Sequence, residues 1–112
     1  MKITDIIQPL DLKILSGQNG LSNEIKGAYV SDLLSDVIGN AKEGEIWITL
    51  QTHQNIIAVA ALKDISGIII VKGAGPEFDT IDKSNIENIP VMVTELDTFT
   101  IAGRLFELLK KE

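Results

Sequence analysis

Gly67-Ile68-Ile69-Ile70-Val71 contains no polar side chain. A run this short and this apolar reads as a strand buried on both faces, the pattern of a parallel sheet covered by helices. Working outward, Gln54 to Lys63 precedes it as an Ala-rich helix that is apolar nearly all round, and Glu45-Ile46-Trp47-Ile48-Thr49-Leu50 reads as an earlier strand. Beyond it, Glu77 to Asn88 reads as a weaker helix with Ile81 and Ile86 as its apolar contacts. Pro90-Val91-Met92-Val93 is a further short buried strand. Asp97 or Thr98 caps a last helix that runs to about Lys110. Strand and helix therefore alternate, which predicts a mainly parallel sheet with right-handed crossovers in a small two- or three-layer α/β domain.

The first third of the chain is less regular. Thr4 is the expected N-cap of a short helix ending near Pro9. Asp11 to Ser16 alternates polar and apolar residues like a half-buried strand, and Gly17-Gln18-Asn19-Gly20 is a turn cluster. Glu24 to Val30 reads as a second strand, placed to pair with the first. Ser31 to Ile38 fits either a short helix or an ordered loop.

Composition limits the chemistry. The 112 residues fit one domain, 1–112, with one modest core. Lys+Arg is 10 against Asp+Glu 16, a formal net charge of -6, which argues against a nucleic-acid partner. The absence of cysteine removes disulfides, thiolate zinc sites, iron–sulfur clusters and thiol nucleophiles. With one histidine, no metal-ligand spacing emerges, so no metal and no cofactor is expected. The start, Met1-Lys2-Ile3-Thr4-Asp5, carries an acid too early for a signal peptide. The longest apolar run, Ile56 to Leu62, is seven residues where a bilayer needs about 20. The expected location is the cytoplasm, with no membrane partner.

In an open α/β sheet, ligands sit beyond the carboxyl ends of the strands. Three segments fall there: Gln51-Thr52-His53-Gln54-Asn55, Lys72-Gly73-Ala74-Gly75, and Thr94-Glu95-Leu96-Asp97. From these, Gln51, Thr52, His53, Asn55, Lys72, Gly73, Thr94 and Glu95 are the candidate ligand-binding residues. The first segment opens a helix and so favours an anion; Thr52 is either its cap or a ligand contact, and His53 either a phosphate donor or a surface residue. Lys72 with its glycines is either a small phosphate cradle or a plain turn, and it matches neither the P-loop nor the dinucleotide fingerprint. Ser31, Asp32 and Asp36 form an acidic cluster with hydroxyls that reads as capping or solvation. A Ser31–His53–Asp36 triad can be drawn, but no nucleophile elbow accompanies it. In the last helix, Phe99, Ala102, Phe106 and Leu109 form one apolar stripe and Ile101, Leu105 and Leu108 another. One stripe suffices to cover the sheet, so Ile101, Leu105, Phe106 and Leu108 are either candidates for a subunit interface or part of one wide core-facing stripe.

Gly20 to Val30, Lys42 to Thr49, Ile68 to Gly73 and Ile89 to Thr94 follow one another in an order that resembles the DRTGG domain, over roughly Ile3 to Leu108. The resemblance implies an α/β fold like the N-terminal domains of bacterial HPr kinase/phosphorylase and the Mur ligases. Similar domains occur within some phosphotransacetylases and beside CBS domains in regulatory proteins and pyrophosphatases, where they look like regulatory or dimerisation modules with no established chemistry of their own. Stand-alone copies occur in anaerobic bacteria, near genes for histidine-kinase-like and hydrogenase-like proteins. No contiguous Asp-Arg-Thr-Gly-Gly is present here. The corresponding loop, Gln51 to Asn55, lacks the arginine, and the nucleotide-binding portion of the kinase is absent, so neither an arginine anion contact nor kinase activity carries over.

The resulting expectation is a non-catalytic regulatory module of a bacterial cytoplasmic system. It would bind a small ligand, such as a nucleotide or phosphometabolite, or a partner protein, and form a homodimer. The alternatives are a small enzyme acting on a phosphorylated substrate, with His53, Asp32 and Glu95 converging, and a ligand-free subunit of a larger complex.

Overall fold

In the computed structural model, which describes residues 1–112, a five-stranded sheet has helices on both faces. The strands are β1 (Lys13–Ser16), β2 (Gly27–Val30), β3 (Glu45–Thr49), β4 (Gly67–Ile70) and β5 (Val91–Val93); the helices are α1 (Ile3–Ile7), α2 (Leu34–Asn40), α3 (Asn55–Leu62), α4 (Phe78–Glu87) and α5 (Thr98–Lys110). The spatial order is β1-β5-β4-β3-β2. Strands β2 to β5 are parallel neighbours, and β1 joins β5 antiparallel. The mainly parallel α/β fold is as expected, and it takes the three-layer form.

The apolar run divides between the two faces because side chains alternate along a strand. Ile69 and Val71, with Ile46, Ile48 and Met92, meet Ile3 and Ile6 of α1 and Ile101 and Leu105 of α5 on one face. Ile68 and Ile70, with Trp47 and Val91, meet Val37 of α2 and Ile56, Ile57 and Ala60 of α3 on the other. Trp47 is fully buried, and its indole N–H donates to the Ser31 carbonyl at 2.8 Å. Each isoleucine buried this way contributes about 1.5–3 kcal/mol, so two such layers hold the strands against the entropy of a short chain.

β1 and β2 do not pair with each other; they lie on opposite edges of the sheet. The linker between them passes below the amino ends of the parallel strands. It begins with Gly17, whose φ of +73° and close approach to the Ile89 carbonyl leave no room for a side chain, and a 3-10 turn, Gln18–Gly20. Asn23 then donates to the Ser66 carbonyl, Ser66 donates to the Glu24 carbonyl, and the Lys26 N–H reaches the Gly44 carbonyl beside β3. The turn cluster is thus the start of a crossing, not a hairpin. The first helix also starts differently from the sequence expectation. Thr4 lies inside α1, and the cap is the Asp5 carboxylate, which accepts the Lys2 N–H at 2.7 Å. Asp97 caps α5 by accepting the Thr100 N–H at 2.8 Å. No helix is long and apolar enough to cross a membrane.

Candidate functional site

The chain leaves β3 and β4 toward the same face, where α3 and α4 pack, but leaves β5 toward the opposite face, where α5 packs. The connections that follow β4 and β5 therefore part to opposite sides of the sheet, although the two strand ends stay hydrogen-bonded, and this is the arrangement that leaves a crevice beyond the strands. A cavity of about 480 Å³ occupies that position. Gly73, Ala74 and Gly75 after β4 form one wall, and Thr94, Glu95 and Leu96 after β5 form another. Because β1 is antiparallel, its amino end reaches the same corner and brings Asp11 and Lys13; Arg104 closes it from α5.

The Lys72–Gly73 segment is a turn rather than a phosphate cradle. Both residues have positive φ, +63° and +70°, and the Ala74 N–H returns to the Val71 carbonyl at 3.2 Å, the features of a type I′ turn. The Lys72 N–H donates to the Leu96 carbonyl at 2.9 Å and the Gly73 N–H to the Thr94 carbonyl at 3.0 Å. These amides are spent on binding the two loops together and do not face a ligand. The Glu95 carboxylate lies over Gly73, where a Cβ would meet its Oε2 at 2.2 Å. The buried Thr94 hydroxyl accepts the Leu96 N–H at 3.1 Å. The Lys72 side chain acts on Asp97: the Thr100 backbone N–H first, then the Thr100 hydroxyl and the Lys72 charge, hold the Asp97 carboxyl below its usual range.

Four side chains on the cavity wall are charged: Lys13 and Arg104, Asp11 and Glu95. All are exposed, and no salt bridge joins any of them. The corner thus presents two free cations and two free carboxylates on a wall that also includes Leu10, Leu15 and Val93.

Of the sequence candidates, Gly73, Thr94 and Glu95 come together here. Gln51, Thr52, His53 and Asn55 belong to a different loop and line no cavity. There Gln51 donates to the Asp32 carbonyl at 2.8 Å, the Thr52 carbonyl accepts the Thr80 hydroxyl at 2.7 Å, and His53 Nδ1 accepts the Asn55 N–H at 3.1 Å. His53 Nδ1, not the Thr52 hydroxyl, therefore takes up the N–H of Asn55, the first residue of α3. The proposed enzyme groups do not converge. Asp32 accepts from the Thr49 hydroxyl at 2.9 Å and the Leu50 N–H at 2.7 Å, His53 is held by its own helix, and Glu95 is across the sheet over Gly73. Asp36 is likewise engaged: the Ser31 hydroxyl, then Tyr29 and Asn40, hold its carboxyl below the usual range, and Tyr29 and Asn40 approach it at 2.9 and 3.0 Å. No group of three metal-ligating side chains is present.

Lys13, Asp11 and Arg104 were not among the sequence candidates. Lys13 begins, and Asp11 precedes, a strand whose place beside β5 is set by a long crossing, and Arg104 sits mid-helix on a face that only the packing of α5 defines. Ile101 and Leu105, expected in an outer stripe, are fully buried against the sheet. Leu108 is half-buried, and Phe106 is exposed, with the Lys110 ammonium 5.6 Å from its ring centre.

No curated protein matches the sequence. Among solved structures, the CBS and DRTGG domains of the regulatory region of Clostridium perfringens pyrophosphatase, complexed with the activator diadenosine tetraphosphate, superpose with a TM-score of 0.74 at 20% identity, over 93% of this chain and 45% of that one. The present chain thus spans less than half the length of that neighbour, and the likeness is one of fold. The DRTGG domain model matches residues 5–108, the stretch that carries the whole sheet and both helical layers, and the chain belongs to the DRTGG domain family.

Proposed function

We propose that this chain is a non-catalytic regulatory module of a bacterial cytoplasmic system and binds a small anionic metabolite at the β4–β5 crevice. The observation that carries the reading is the pair of unpartnered cations, Lys13 and Arg104, on a cavity of about 480 Å³ at the switch point of the sheet. A phosphate or carboxylate group is the natural partner for such a pair, because a guanidinium offers a planar fork of donors and an ammonium a point charge. Asp11 and Glu95 accept hydrogen bonds only, so they suit hydroxyl or amine donors on the same ligand. The regulatory region of the Clostridium perfringens pyrophosphatase gives this reading a precedent, since it contains a DRTGG domain and takes a nucleotide activator. That region also contains CBS domains, so the ligand class proposed here rests on the cavity.

Calorimetric titration with ribose 5-phosphate tests the proposal. Binding that weakens about tenfold or more in Arg104→Gln and in Lys13→Gln supports it. No heat and no rise in melting temperature at millimolar ligand would refute it.

We also propose self-association through the outer side of α5. Phe106, Leu109 and Ala102 border an apolar groove with Ala28 and Val30 of β2, an edge strand that pairs with β3 on one side only. Lys26, Lys110 and Glu45 rim the groove with both signs of charge, which lets two copies of the same surface pair. Light scattering decides: a dimer that dissociates in Phe106→Glu is expected, and a monomeric parent at micromolar concentration overturns it.

A further inference from the structure

We propose that the ligand of the β4–β5 crevice carries a planar aromatic ring, as a mononucleotide does, and that the ring lies on Phe99. This deepens the cavity reading above and rests on it. Phe99, the second residue of α5, is 88% exposed and borders a groove. That groove, about 450 Å³, is bordered by Pro9, Leu10, Gly103 and Leu108. Leu10 and Arg104 also line the crevice, so the two hollows adjoin at these two side chains. The crevice supplies cations and the groove supplies an aromatic face on a largely apolar floor. This division matches a molecule with an anionic end and a flat apolar end.

Chemistry narrows the class. An aromatic side chain binds a nucleobase by stacking, largely without regard to the base. The guanidinium of Arg104 can pair with a phosphate and still lay its planar face against a ring. A sugar between the two ends would place its hydroxyls near Asp11 and Glu95, whose oxygens only accept. Mononucleotides of different bases should therefore bind with similar strength, and base-free sugar phosphates more weakly.

The experiment compares AMP, UMP and ribose 5-phosphate by calorimetry on the parent chain, Phe99→Ala, Phe99→Leu and Arg104→Gln. The expected result is that AMP and UMP bind about tenfold or more tightly than ribose 5-phosphate, and that Phe99→Ala removes this advantage and leaves ribose 5-phosphate unchanged. Phe99→Leu, which keeps bulk without the π face, should recover little of it. Arg104→Gln should weaken all three. If ribose 5-phosphate binds and depends on Arg104 while AMP gains nothing and Phe99→Ala is silent, the ring inference falls and the crevice reading survives. If none of the three binds, both fall. If Phe99→Ala alters the mass by light scattering with nucleotide affinity unchanged, Phe99 belongs to a protein contact and the inference is overturned. Because Phe99 is almost wholly exposed, its variants should fold, and circular dichroism checks that they do.

Discussion

Replacing Gly73 by alanine tests the turn that walls the crevice. Gly73 has φ of +70°, and an alanine Cβ would lie 2.2 Å from Glu95 Oε2 and 3.2 Å from Glu95 Cδ. All the close atoms belong to one exposed side chain, which can swing aside, so the steric contact is relieved at small cost. The backbone term stays. A left-handed conformation costs a residue other than glycine about 1–2 kcal/mol, and exchanging glycine for alanine returns about 0.4–1 kcal/mol by restricting the unfolded chain. The net destabilisation is about 1 kcal/mol, a fall in melting temperature of about 4 °C for a chain of this size. Gly75→Ala is the internal control. Its φ is not positive and a Cβ there would meet nothing within 4 Å, so it should melt at or slightly above the parent. Lys72, also left-handed at +63°, makes the converse case: Lys72→Gly relieves strain as it loosens the unfolded chain, and its melting temperature should be unchanged or slightly raised. Differential scanning calorimetry on the three variants decides. A Gly73→Ala protein as stable as the parent, or a Gly75→Ala protein as damaged as Gly73→Ala, would refute the assignment of a type I′ turn.

Ser84→Ala should cost about 1–3 kcal/mol in urea unfolding, because the Ser84 hydroxyl joins the Ser16 hydroxyl at 2.8 Å to the Ile89 carbonyl at 2.7 Å in a buried chain between α4, β1 and the approach to β5. The Ser16→Ala/Ser84→Ala double variant should cost less than the sum of the singles; strict additivity would show that the bond contributes nothing. Tyr29, the only tyrosine, has its phenol held above the ordinary range by its hydrogen bond to Asp36, with burial and the Asp36 and Glu45 charges adding to the effect. A group with a raised folded pKa stabilises fully below its unfolded value of about 10 and loses that contribution as pH rises through the folded value. Phenolate absorbance should therefore titrate late, and earlier in Asp36→Asn; a midpoint at or below the ordinary value in the parent counts against the bond.

The sequence made the parallel core legible because the signal there is local. Gly67 to Ile70 is wholly buried, and its alternation onto two faces needs nothing beyond strand geometry. The Ala-rich helix and the Asp97 cap are local in the same sense. The pairing of β1 was not legible. Hairpin pairing of neighbouring strands is the commoner outcome, and what defeats it here is a set of contacts remote in sequence, Gly17 against Ile89 and Asn23 against Ser66. The two stripes of the last helix were visible as stripes, but only packing shows that Ile101 and Leu105 face the sheet while Phe106 and Phe99 face outward.

The candidate crevice lies away from the most polar loop for a related reason. Gln51 to Asn55 is the most polar strand-end loop, but polarity is not readiness for a ligand. Polar side chains in loops more often satisfy nearby backbone: His53 accepts the Asn55 N–H, Gln51 and Asp32 bind main-chain groups, and Thr80 closes on the Thr52 carbonyl. Polar groups already paired have little left to offer an anion. The two free cations of the crevice, Lys13 and Arg104, come from a strand end and a helix middle, and only topology brings them to one corner. The strand-end rule was sound but incomplete. Three parallel strands in a row whose helices share a face close their loops over one another, and a crevice appears only where the next helix changes sides. In this chain that change falls between β4 and β5, so the direction taken by α5 after Val93 locates the cavity more surely than the polarity of any loop.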